Sequence, residues 1–190
     1  MRGFTIIEVV IVSGLSALLF LTLAGVFLFG QRVFNKNSNL SEIIQNSRVA
    51  MDRISRELRQ ANVITTFEGD NVEIMFEDGH TNNSCTDYNN DISYCYIRYY
   101  LEESRLKREV SQFLCDSSPI VYTWPDCQGQ DPPLNPPQKT IYKDQIIAEY
   151  FSSVNFNIDI ENSLINFEFN LEKASETFKA ETSVYPRNAY

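Results

Sequence analysis

Catalytic side chains are scarce in this 190-residue sequence. His80 is the single histidine, and it follows Asp78 and Gly79, a pair that is typical of a turn. No glycine-rich phosphate-binding loop and no nucleophile elbow is present. A solvent-exposed loop histidine is therefore the favoured interpretation of His80. The sequence predicts a protein that is not an enzyme, has no catalytic residues and requires no cofactor.

Three oxygen-bearing side chains have the alternate spacing that begins a calcium-binding EF-hand loop, namely Asp87, Asn89 and Asp91. However, Ile92 stands where that loop requires glycine, and Arg98 stands where it requires a bidentate glutamate. The EF-hand interpretation therefore fails. A solvated acidic loop is favoured over a looser calcium site, and we predict no metal site.

All four cysteines lie in the second half of the chain, at Cys85, Cys95, Cys115 and Cys127. Their spacing does not match a zinc site. An even number of cysteines, in a part of the chain that we expect to be exported, predicts two disulfides. Three connectivities are open for them. Sequence neighbours, Cys85 with Cys95 and Cys115 with Cys127, are favoured because they close short loops. Four free buried thiols are the alternative.

Charge is distributed unevenly along the chain, which carries a net charge of −9. Residues 31–62 hold six basic and three acidic residues, whereas residues 63–190 hold nine basic and 21 acidic ones. We call residues 31–62 the neck and residues 63–190 the head. The acidic head argues against contact with nucleic acid, because phosphate contacts require a basic surface. The basic neck has three open interpretations: contact with anionic lipid headgroups, contact with an acidic neighbour, or a solvated helix face.

The element that precedes this neck is an uncharged apolar run over residues 9–29. As a helix, these 21 residues would measure about 31 Å, which matches a hydrocarbon core of roughly 30 Å. The run is too long for a cleaved secretory signal. The sequence therefore predicts a single-pass protein of the cytoplasmic (inner) membrane with an extracytoplasmic head, although Arg32 and Lys36 weaken the charge asymmetry that would orient it.

Glu8 is a carboxylate at the start of this apolar run. A charge at the centre of a membrane helix costs on the order of 3 kcal/mol, so an acid in such a run suggests a functional site. Near the end of the helix the cost is smaller, and a carboxylate in the first turn also favours the helix dipole. An acid that reaches the membrane interface is the alternative.

The run Gly3-Phe4-Thr5-Ile6-Ile7-Glu8, followed by the apolar helix, closely resembles the processing motif of type IV prepilins and type II secretion pseudopilins. The resemblance implies that residues 1–3 are a leader, unusually short for the family, and that a prepilin peptidase cuts between Gly3 and Phe4. The new amine of Phe4 would be methylated, and Glu8 would pair with the amine of a neighbouring subunit.

By the same resemblance, the partners are membrane lipid before assembly, an assembly platform in the inner membrane, and other pilin or pseudopilin subunits. Residues 4–30 would form the transmembrane helix that becomes the filament core. A carboxylate buried there is tolerable when a cation compensates it. The expected destination of the protein is a pilus or pseudopilus.

Residues 31–62 have the pattern of an amphipathic helix. Its apolar face is predicted to hold Val33, Leu40, Ile43, Ile44, Ser47, Met51, Ile54, Leu58 and Ala61. The opposite face is predicted to hold Arg48, Asp52, Arg53, Arg56, Glu57 and Arg59, with Asp52–Arg56 and Arg53–Glu57 spaced for i,i+4 pairs. The low-propensity residues 35–39 predict a hinge or local melting.

Residues 51–61 are similar to the end of the helix in the J-type (W-type) minor pseudopilins and minor pilins. This favours a minor subunit that primes or caps assembly of a type IV pilus or type II secretion pseudopilus. The alternatives are a major pilin that forms the filament body and, less favoured, a signal-anchored extracytoplasmic binding module.

Strand patterns fill most of residues 63–190. Alternating residues predict a hairpin over 154–171, and further strands are expected at 72–76, 92–101, 105–110 and 177–184. Residues 124–138 contain five of the seven prolines, which predicts a surface loop. An inert connection is favoured over a partner-recognition loop. The predicted fold is α+β: a long N-terminal helix packed on an antiparallel β-sheet head.

Overall fold

The computed structural model describes residues 5–65, 71–78, 95–115, 118–120, 138–159 and 163–187. It contains one long helix, α1 (Ile6–Gln60), followed by β strands. The strands are β1 (Glu73–Glu77), β2 (Tyr96–Glu102), β3 (Arg105–Cys115), β4 (Ser118–Ile120), β5 (Gln138–Glu149), β6 (Phe151–Asp159), β7 (Leu164–Lys173) and β8 (Glu176–Val184). The predicted α+β fold is confirmed.

Helix α1 is continuous for 55 residues, or about 82 Å. Its helical hydrogen bonding runs through residues 35–39, so the predicted hinge is wrong. Low helix propensity costs only a few tenths of a kcal/mol per residue, and tertiary contacts hold this segment. Lys36 Nζ lies 3.6 Å from Glu176 Oε2 on β8, and Leu40 packs against the core.

The second half of α1 buries one side against the head. The buried residues of α1 recur at steps of three and four, which is the spacing of one helix face. They are Ile43, Ser47, Ala50, Ile54 and Leu58. The predicted face is confirmed at four of these positions, and Ala50 joins it. Val33, which was also predicted for this face, precedes the part of α1 that packs on the head and is 40% exposed.

Two antiparallel sheets form the head. In the first sheet, β2 pairs with β1 on one side and β3 on the other, and β3 also pairs with β5. Phe113 of β3 pairs with Lys139 of β5 on one side and with Ile120 of β4 on the other. Strand β4 therefore lies along the same edge of β3 as β2, further towards the C-terminal end of β3. The second sheet has the order β6-β7-β8.

The predicted hairpin over residues 154–171 is confirmed. Val154 pairs with Phe169, and Phe156 pairs with Phe167, in the β6–β7 register. Strand β5 was not predicted, since its sequence lacks regular alternation. Two register shifts against β3 explain this, because each extra residue reverses the side on which the following side chains lie.

One continuous core joins α1 to both sheets. Phe151 and Phe169 meet edge to face with ring centroids 5.3 Å apart, and Phe167 lies 5.3 Å from Phe169. Ile54 and Leu58 of α1 belong to the same core and are completely buried. The neck half of the helix is therefore an integral part of the head.

Candidate functional site

The N-terminal end of α1 is closed by Thr5 and Glu8. The backbone N–H of Glu8 donates to Thr5 Oγ1 at 3.4 Å, and the N–H of Thr5 donates to Glu8 Oε2 at 3.4 Å. This reciprocal arrangement is a capping box, which satisfies two N–H groups that a helix start leaves free. Glu8 is exposed and is held in the first turn by its own chain. Gly3 and Phe4 lie outside the described residues.

The first half of α1 presents large apolar side chains to its surroundings. Ile6 is 87% exposed, and bulky apolar residues continue in this state to Phe34. Within the described part of the chain, α1 is the one helix that is long and apolar enough to cross a membrane. Exposure of so large an apolar surface to water is energetically unfavourable, so either lipid or neighbouring helices must cover it.

Two polar clusters fix the neck half of α1 to the head, and the first is centred on Glu57. Its Oε2 accepts from Arg108 Nε of β3 at 2.8 Å and from Tyr99 Oη of β2 at 2.7 Å. Arg53 Nε reaches the other carboxylate oxygen at 3.3 Å, which confirms one predicted i,i+4 pair. The prediction that Glu57 faces solvent is wrong, because its side chain is mostly buried against β2 and β3.

Tyr99 is enclosed within this first cluster. Burial raises the pKa of its phenol, and the neighbouring Glu57 carboxylate raises that pKa further. The phenol therefore stays protonated and donates to Glu57 at any pH that the protein meets. The cluster therefore fixes α1 against β2 and β3.

The second cluster joins Glu42, Lys173 and Tyr150. Tyr150 Oη donates to Glu42 Oε1 at 2.8 Å, and Lys173 Nζ contacts Glu42 Oε2. The same ammonium lies 4.3 Å from the centroid of the Tyr150 ring, a cation–π distance. Hydrogen bonds from Lys173 and Tyr150 lower the pKa of the Glu42 carboxyl, and the bond to Glu42 raises the pKa of Lys173.

Tyr150 adopts a backbone conformation that is rare for a bulky residue, with φ of 71°. It lies between β5 and β6, where the chain passes from the first sheet to the second. Its carbonyl accepts from Glu172 N at 2.8 Å. Tyr150 thus joins both sheets and α1 at one point. Sequence patterns did not indicate this role, because Glu42 is distant from Tyr150 in the chain.

Of the four cysteines, Cys95 is the one whose side chain is described. It is buried and disulfide-bonded, which excludes a free thiol at this position. Cys85 and Cys127 lie outside the described residues, as does the side chain of Cys115, so the expected pairing stays a prediction. His80, the acidic residues at 87–91 and most of the proline-rich loop also lie outside them. The described residues contain no cluster of three His, Cys, Asp or Glu side chains suited to a metal ion.

The predicted i,i+4 pair of Asp52 with Arg56 does not form, although both side chains are described and exposed.

No known family model matches the chain, and no protein with a curated description matches it.

Proposed function

We propose that the chain is a minor pilin or pseudopilin, a structural subunit that primes or caps assembly of a type IV pilus or type II secretion pseudopilus. Before assembly it is a single-pass protein of the cytoplasmic membrane with its head outside. A prepilin peptidase removes residues 1–3, Phe4 is methylated, and an assembly platform transfers the subunit into the filament. The partners in the filament are other pilin or pseudopilin subunits.

One observation carries this proposal: a single uninterrupted helix has two different surroundings. Up to Phe34 it exposes apolar side chains on all sides, whereas from Leu40 onward it is packed into a β-rich head. A helix of this kind suits both lipid and a bundle of like helices, because both cover an apolar surface. The rigid connection to the head would transmit the position of the helix to the head.

Glu8 supports the same proposal. Its capping box compensates the carboxylate within one chain before assembly. The hydrogen bonds at 3.4 Å are long, so a cationic N-terminal amine of a neighbouring subunit would be a stronger partner. Exchange of the first arrangement for the second would favour helix packing in one axial register.

The proposed processing is tested by N-terminal mass spectrometry of the protein isolated from cells that contain an active prepilin peptidase. The expected product begins at methylated Phe4. Cells without the peptidase, and a Gly3→Val variant, serve as controls, and in both the product should retain all of residues 1–3. An intact MRG end in the peptidase-positive strain would overturn the proposal and favour the signal-anchored binding module.

The choice between minor and major subunit is tested by quantifying the chain in sheared filaments. A minor subunit is expected at a few copies per filament, beside an abundant different pilin. If this chain is the main component, it forms the filament body as a major pilin.

A further inference from the structure

Three arginines of α1 form an exposed ridge whose side chains make no ion pair with the described part of the head. Arg48, Arg56 and Arg59 are exposed, and intervals of eight and 11 residues place them on one broad side of the helix. We call them the arginine ridge. None of the three makes an ion pair with another described residue, although Asp52 lies four residues from both Arg48 and Arg56. The ridge therefore keeps its hydrogen-bond donors available.

Lipid headgroups lie too far from this ridge. Arg48 follows Phe29, the end of the apolar run, by 19 residues, which is about 28 Å along a helix. A tilt of 40° still leaves about 22 Å between them along the membrane normal. The headgroup layer is only about 5–8 Å thick on each side of the bilayer. An anionic membrane surface is thus excluded as the partner of the arginine ridge.

The side chains of the ridge make no ion pair with the described part of the head of the same chain either. Helix α1 packs on its own head through the side that carries Ile43, Ala50 and Ile54. The arginine ridge lies on the side of the helix that faces away from the described part of the head, where an acidic surface of another molecule can reach it. The most acidic part of this chain is the head, since residues 63–190 carry 21 acidic and nine basic side chains.

A groove on the outer face of the second sheet has the chemistry to accept arginines. It has a volume of about 500 Å³, and its polar lining residues are Asn155, Asn157, Asn166, Glu168, Glu181, Thr182 and Ser183. We call it the carboxamide groove. Amide, hydroxyl and carboxylate oxygens are acceptors, whereas a guanidinium offers five donors in a fixed plane and no acceptor.

The charge of the carboxamide groove favours a cation. Lys179 Nζ lies 2.8 Å from Glu168 Oε2 and 3.8 Å from Glu181 Oε2, so one lysine serves two carboxylates. The Glu181 side chain is 77% exposed. The groove therefore keeps one net negative charge. Phe167 also lines the groove, and its buried ring packs against that of Phe156 in the core.

We propose that the arginine ridge of one copy docks in the carboxamide groove of a second copy. The two surfaces are different, so the contact is heterologous: one copy supplies the arginine ridge and the other supplies the carboxamide groove. The contact joins α1 of one copy to the head of another and does not involve Glu8 or cleavage at Gly3. The docking proposal can therefore fail while the pilin assignment stands, and the reverse is also true.

The test uses the purified full chain in detergent micelles, with a photoreactive amino acid at Ser183 in the groove. At low salt we expect a crosslinked dimer whose partner peptide contains Arg48, Arg56 or Arg59. Raising the salt concentration from 0.05 to 0.5 M should lower the yield several-fold, because salt screens exposed charges. Arg56→Glu combined with Arg59→Glu should lower it about tenfold, whereas Lys143→Glu on exposed β5 should leave it unchanged.

Charge reversal on the other surface completes the test. Glu181→Lys in the photoreactive copy should also abolish the crosslink to wild-type chain. Mixing that copy with the Arg56→Glu, Arg59→Glu chain should restore it. Circular dichroism of each variant checks that the head is folded. A crosslink to a different peptide, a yield insensitive to the ridge variant, or failure of the mixed pair to recover would each overturn the proposal.

Discussion

Glu57 of α1 and Arg108 of β3 are 51 residues apart in sequence, yet Arg108 Nε lies 2.8 Å from Glu57 Oε2. Both side chains are largely shielded from solvent. Removing one partner leaves the other charge buried and uncompensated, which typically costs 3–5 kcal/mol. The pair therefore favours this position of α1 on the first sheet, because a shift of the helix along the sheet would separate the two buried charges.

The first prediction concerns this pair. We expect Arg108→Ala to lower the free energy of unfolding by about 3–5 kcal/mol, since Glu57 would lose its buried cation. Urea titration of the full chain in mild detergent, followed by circular dichroism, measures the change. Asp52→Ala, an exposed acid one turn earlier on α1, is the matched control and should stay within about 0.5 kcal/mol. A double variant with Glu57→Ala should lose less than the sum of the single losses.

The second prediction is a pH dependence at Glu42. Its pKa is lowered in the folded chain by Lys173 and Tyr150, so the stabilisation is fully present above the unfolded pKa near 4.5. It is lost as the pH falls below 4.5 through the folded pKa. We expect Glu42→Gln to lower the urea midpoint at pH 7, and this difference should shrink towards zero as the pH falls below about 4.

The control for this pH series is Glu172→Gln, a change at an exposed carboxylate on β7. Its midpoint difference from the wild type should be small at pH 7. If the deficit of Glu42→Gln persisted unchanged at pH 3, the carboxylate charge would not be the source of the stabilisation.

The apolar side of α1 could be predicted from sequence because burial there follows the helix period. Ile43, Ser47, Ile54 and Leu58 were all placed correctly. The same rule failed at Glu57, since a charged residue on a helix is ordinarily exposed and its partners Tyr99 and Arg108 are distant in sequence. Long-range ion pairs leave no periodic signal.

Strand prediction shows the same division. The β6–β7 hairpin alternates without interruption over most of its length and was predictable, whereas β5 carries two register shifts that break its alternation. The hinge predicted at residues 35–39 failed for a different reason. Local propensity was read correctly, but the ion pair of Lys36 with Glu176 and the packing of Leu40 outweigh it.

The third prediction concerns the tight turn between β7 and β8, where Ala174 has φ of 56°. This left-handed conformation costs an L-residue with a side chain roughly 1–2 kcal/mol, and glycine avoids that cost. We expect Ala174→Gly to raise the free energy of unfolding by up to about 1 kcal/mol, as measured by urea titration.

Ala180→Gly is the matched control for this change, because Ala180 is buried within β8 and pairs with Phe169. Glycine inside a strand adds backbone freedom and removes packing, so this variant should be destabilised by about 1 kcal/mol. Equal effects of the two substitutions would contradict the left-handed turn.

The fourth prediction tests whether α1 is part of the head core. Ile54 is completely buried and belongs to the cluster that contains Phe156 and Phe169. Truncation of such a side chain typically costs 2–5 kcal/mol, so Ile54→Ala should lower the urea midpoint strongly while membrane insertion, measured by carbonate extraction, is retained. Val49→Ala, at a site 48% exposed, should change stability by less than about 0.5 kcal/mol. A head as stable in Ile54→Ala as in the wild type would mean that the head folds independently of α1, and the helix could then not fix the position of the head.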